Sequence, residues 1–126
     1  MKNINILYMP ITFGANGIEF SSITNYGAPI SKSTSSITCN EKRFRFAVAF
    51  TSEDYLAPDT PHTITISNNK VDEFDSIITN IFSNHPTVFI KPYKIRGNDD
   101  EFSVCLLNLG SSNITNNIEI SVLIVT

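Results

Sequence analysis

Apolar and polar residues alternate most regularly in RFRFAVAF, residues 43–50, which places Phe44, Phe46, Val48 and Phe50 on one face of a strand. The other face runs from two arginines, Arg43 and Arg45, to two alanines, Ala47 and Ala49. The first face reads as core. The second is unusual enough to raise the question of what covers it. Similar alternation over residues 3–9, with Ile4, Ile6 and Tyr8 opposite Asn3, Asn5 and Leu7, predicts a first strand, and Pro10 limits its pairing to an edge. In TPHTITISNN, Ile64 and Ile66 oppose Thr63, Thr65 and Ser67. Such a threonine face is solvated or paired across strands.

Residues 71–82, VDEFDSIITNIF, carry a different period. Val71, Phe74, Ile77, Ile78, Ile81 and Phe82 recur at spacings of three and four, which predicts one amphipathic helix over about residues 71–83. Asn69 is its expected N-cap, and Pro86 after His85 its expected stop. Three closing strands follow, TVFIKPYKI (87–95), EFSVCLLNL (101–109) and NIEISVLIVT (117–126), read as an antiparallel meander. The last two are apolar on both faces, which implies a covered sheet. Residues 12–40 lack a steady period and form a loop-rich segment punctuated by GANG, NYGAP and SKSTSS.

The expected fold is therefore α+β and predominantly β, an antiparallel sheet or β-sandwich with the helix packed on it, in a single domain spanning 1–126. Small residues let a helix approach a sheet closely, so the helix is the preferred cover for Ala47 and Ala49. A neighbouring subunit is the alternative, with Arg43 and Arg45 at its rim.

Composition narrows the function more than it identifies it. With 41% apolar and 17% charged residues the chain is of globular type. A net charge of −3, with only Lys42, Arg43 and Arg45 as neighbouring cations, argues against a nucleic-acid partner, which would need a basic face. No apolar run approaches the ~18 residues of a membrane helix, and the N-terminus lacks a signal-peptide pattern, so a cytoplasmic origin without membrane insertion is expected. Cys39 and Cys105 belong to no metal-binding or redox spacing.

The search for chemistry yields no catalytic, cofactor or metal residues. His62 and His85 both neighbour prolines, and neither stands in a nucleophile motif. The acidic stretches at 53–59 and 97–101 offer oxygen ligands without the alternating pattern of a calcium loop. GANG and NYGAP lack the strand-to-helix setting of a phosphate loop. Asparagines together with Tyr8, Tyr26, Tyr55 and Tyr93 leave a glycan partner conceivable, though no tryptophan is present to stack on a sugar ring.

The expectation that follows is a non-catalytic structural or assembly protein without cofactors. It would be a self-associating, homo-oligomeric subunit of a virus- or phage-like particle, or of a similar large complex. Its candidate interface residues are Arg43, Arg45, Ala47, Ala49, Tyr26 and Tyr55. A lectin-like β-module is the alternative, and a small enzyme comes third.

Overall fold

The structure is a computed structural model that describes residues 11–14, 17–20, 24–25, 27–82, 85–95 and 97–125. The strand expected at 3–9, and Tyr26, lie outside these residues. In chain order the strands are β1 (Ile11–Gly14), β2 (Gly17–Phe20), β3 (Thr24–Asn25), β4 (Ile30–Ser31), β5 (Ser36–Thr38) and β6 (Arg43–Ala49). They continue with β7 (Pro61–Ser67), β8 (Ser76–Phe82), β9 (Val88–Tyr93), β10 (Glu101–Asn108) and β11 (Ile118–Val125). Among the described residues strands β1 and β2 pair only with each other, and β1 to β5 are short strands spread across the segment read as loop-rich.

The remaining strands form two mixed sheets. One has the order β5-β7-β10-β9, and the other β3-β6-β11-β8 with β4 also beside β6. Strands β3 and β4 run parallel to β6, and β5 parallel to β7; the other pairs are antiparallel. The alternation seen in the sequence explains why the sheets meet. Phe44, Phe46 and Val48 of β6 and Ile118, Ile120, Val122 and Ile124 of β11 join Ile64 and Ile66 of β7 and Phe102, Val104 and Leu106 of β10 in one buried cluster. Each such side chain contributes about 1.5–3 kcal/mol on leaving water. The result is a β-sandwich-like fold.

The α+β expectation is corrected to all-β, since no helix occurs among the described residues. Residues 71–82 are a turn followed by a strand. The Asp75 N–H donates to the Asp72 carbonyl at 3.1 Å, and the Asp75 carboxylate Oδ2 accepts the Asp72 N–H at 2.8 Å, closing the turn. Ser76–Phe82 then pairs along its whole length with β11, from Val125↔Ser76 to Glu119↔Phe82. Four of its seven residues, Ile77, Ile78, Thr79 and Ile81, are β-branched, which favours a strand. A twelve-residue helix is marginal on its own, whereas a seven-residue ladder on a core strand is not. Two members of the supposed helical stripe face water, Phe74 at 87% and Ile78 at 54% exposure. Asn69 caps nothing; its N–H donates to Asn40 Oδ1 at 2.9 Å.

The expected meander is half right. Strands β9 and β10 are antiparallel neighbours, but β11 crosses to the other sheet, between β6 and β8.

Two asparagines hold the ends of the sandwich. Asn108, fully buried, donates from Nδ2 to the carbonyls of Leu56 (3.0 Å) and Ser112 (2.8 Å), and its Oδ1 accepts the Gly110 N–H at 2.9 Å. Its own carbonyl accepts the Asp59 N–H at 2.8 Å. A side chain at Gly110 would crowd Thr87, because a Cβ would lie 2.9 Å from its Oγ1. Asn68 is also buried; it donates from Nδ2 to the Glu41 carbonyl at 2.7 Å, and its Oδ1 accepts the Lys70 N–H at 2.7 Å. Its N–H donates to the Asp100 carbonyl at 2.8 Å.

Candidate functional site

The outer face of the five-stranded sheet gathers four of the six candidate interface residues, and its register sets their neighbours. Strand pairing places Arg43, Leu123 and Ile78 in one row across β6, β11 and β8. Arg45, Ser121 and Asn80 form the next row, and Ala47 and Glu119 stand side by side in the one after. The first two rows frame a hollow of about 210 Å³ lined by Arg43, Arg45, Ile78, Asn80, Ser121 and Leu123. Exposed Ile78 and Leu123 and half-buried Arg43 and Arg45 line it together, and no acidic residue does.

Ala47 and Ala49 remain half-buried, and the segment 71–82 does not cover them. Residues 27–31 run beside them instead. Ser31 of β4 stands opposite Ala49, and Gly27 and Pro29 share a hollow of about 290 Å³ with Arg45, Ala47, Asn117 and Glu119. Tyr55 is not brought to this face. It lies in the β6–β7 loop, next to Leu56, which bridges to Ile114, and it lines neither hollow.

The sheet edges differ in a way that sequence reading missed. Strands β3 and β4 are two residues long and β5 is three, while β9 carries Lys91 and Pro92. Short length, lysine and proline are common guards against edge-to-edge pairing. Strand β8, SIITNIF, has none of them. Among the described residues it ends its sheet, with β11 on one side, and β9 lies beside it at the corner without pairing to it. The absence of charge and proline was visible in the sequence; that these residues form an edge was not.

The chemistry-bearing residues are dispersed. His62 shares the inner face of β7 with Ile64 and Ile66, edge-on to the Phe50 ring at 5.6 Å, and its Nε2 is buried without a hydrogen-bond partner. Burial, seconded by Lys32, lowers its pKa from 6.5, and Asp54 opposes this weakly. His85 lies in the turn before β9, where its carbonyl accepts the Val88 N–H at 3.1 Å; with the helix gone it is not a helix cap. Cys39 and Cys105 are free thiols, and burial is the main cause raising the pKa of Cys39. In the 53–59 loop, Asp54 lies 3.5 Å from Lys32. Among the described residues no group of three His, Cys, Asp or Glu side chains is placed to hold a metal ion.

His62 makes stability depend on pH. Its folded pKa lies below its unfolded one, so the unfolded chain takes up a proton first on acidification. The stability it permits is complete above about pH 6.5 and is lost as pH falls from there to the folded pKa. In urea titrations at pH 7.5 and pH 5, His62→Leu should lose less stability between the two than the parent does. An equal loss in both proteins would assign the pH dependence to other groups.

No protein-family model, curated protein or solved structure shows a significant match to this chain.

Proposed function

We propose that this protein is a non-catalytic structural subunit whose work is contact with copies of itself, as in a particle or similar large complex. One observation carries the reading: β8 is a seven-residue edge strand with neither charge nor proline, in a molecule whose other described edges are short or guarded. An edge of this kind offers a row of backbone donors and acceptors to another strand. A natural chain that leaves it open either pairs it or risks aggregation.

Two further features support self-association. The outer face next to β8 is apolar at Ile78, Leu123 and Val125, each more than a third exposed. Pairing of β8 with β8 of a second copy around a two-fold axis would extend the five-stranded sheet across both subunits, the commonest symmetry for such contacts.

Sedimentation velocity from low to high micromolar protein tests this directly. The expected outcome is a reversible, concentration-dependent rise in mass. A constant monomer mass up to the highest concentration would contradict it.

A further inference from the structure

The turn that opens β8 is built like a plug. Phe74 sits at its tip with 87% of its surface in water, the most exposed large apolar residue among those described. Its neighbours Asp72, Glu73 and Asp75 are all acidic, and the paired Asp72–Asp75 hydrogen bonds hold the turn in shape. Leaving a phenylalanine in water forgoes the stabilisation its burial would give, and no contact within the described residues recovers it.

The hollow on the outer face is the matching socket. It holds about 210 Å³, and an apolar cavity of about 150 Å³ is already enough for a benzene ring. Ile78 and Leu123 supply its apolar contact, and Arg43 and Arg45 line it beside them, opposite in sign to the acidic shoulders of the turn. Arg43, Arg45 and Glu73 also interact within their own chain. The match is therefore one of opposite charge beside an apolar contact, and it requires no new ion pair at those three residues. The turn does not line the hollow of its own chain. Ser76 is paired with Val125, one side-chain row before the Ile78–Leu123 row, and the turn precedes it.

We infer that the Asp72–Asp75 turn of one copy docks into the Arg43/Arg45/Ile78/Leu123 hollow of another, with Phe74 as the buried anchor. This contact rests on the self-association proposed above, but it is separate from β8 edge pairing. A few aromatic anchors commonly carry most of the energy of such an interface.

Complementation tests it. Phe74→Ser removes the plug, and Leu123→Glu places an acid in the socket; both positions face outward, so unchanged circular dichroism and urea midpoints verify the fold. Each variant alone should associate about thirtyfold more weakly than the parent by sedimentation, as loss of an aromatic hot spot implies. An equimolar mixture, in which one variant supplies intact sockets and the other intact plugs, should regain a complex containing both.

Association undiminished in either variant, or a mixture no larger than its parts, would overturn the inference. If β8 amides fail to gain protection with concentration while the mixture still complexes, edge pairing falls and the plug contact stands. A parent that remains monomeric removes both.

Discussion

Asn108→Leu is expected to lower the unfolding free energy by about 1–3 kcal/mol. Leucine occupies nearly the same space, so the loss reports hydrogen bonding rather than a cavity. The Leu56 carbonyl loses the Nδ2 donor but keeps the Ile114 N–H, while the part-buried Ser112 carbonyl loses its donor and the Gly110 N–H its acceptor. Stranding a buried polar group costs about 1–3 kcal/mol, and here the Gly110 N–H bears most of it, since Ser112 is exposed to water. Urea denaturation would show a lower midpoint with little change in slope. A loss below about 1 kcal/mol would mean that water replaces the side chain readily, and that Asn108 does not clamp the β6–β7 and β10–β11 loops together.

The second large effect is a contrast between two phenylalanines. Phe44 is fully buried at the centre of the sandwich, and Phe44→Ala should cost about 3–5 kcal/mol. Phe74→Ala, measured on dilute protein, should change stability by no more than about 0.5 kcal/mol, because its ring faces water. A helix over 71–82 packed on the sheet would make both substitutions costly. Similar losses at the two positions would therefore restore the helical arrangement and remove both the β8 edge and the plug.

These two predictions also mark where the sequence was readable. Strict alternation identified the core face of β6, because a strand with one buried face must alternate, whereas β10 and β11 read as apolar on both faces although Leu123 and Val125 leave one face of β11 open. It failed at β8 because Ile77, Ile78, Ile81 and Phe82 satisfy a helical spacing, while Ile77, Thr79 and Ile81 satisfy a strand spacing equally well. What decides between them is the ladder to β11, some forty positions away, which no local window contains. The crossing of β11 between sheets was hidden for the same reason.

The asparagine clamps were hidden differently. In a chain rich in asparagine, Asn68 and Asn108 look like turn residues. A signal was nevertheless present: Asn108 continues the Phe102, Val104, Leu106 face, and Asn68 continues the Ile64, Ile66 face. An amide on a core face at the end of a strand has to find partners there, and loop carbonyls are the nearest.

Of the candidate interface, Arg43, Arg45, Ala47 and Ala49 were legible as one face from alternation alone. The structure adds what lies beside them, Ile78, Asn80, Ser121 and Leu123, and these are neighbours only through strand pairing. Tyr55 is elsewhere, since loop residues have no period from which a face could be read.

Self-association through the β8 edge is tested most directly by amide hydrogen exchange of Ser76–Phe82 at low and high protein concentration. In an edge strand the inward amides are bonded to β11 and the outward ones are open to water, so only the outward set can respond. The account predicts that alternate β8 amides exchange rapidly in dilute protein and slow as concentration rises, in step with the mass change. Outward amides that exchange fast at every concentration, or that are equally protected in the monomer, would contradict it.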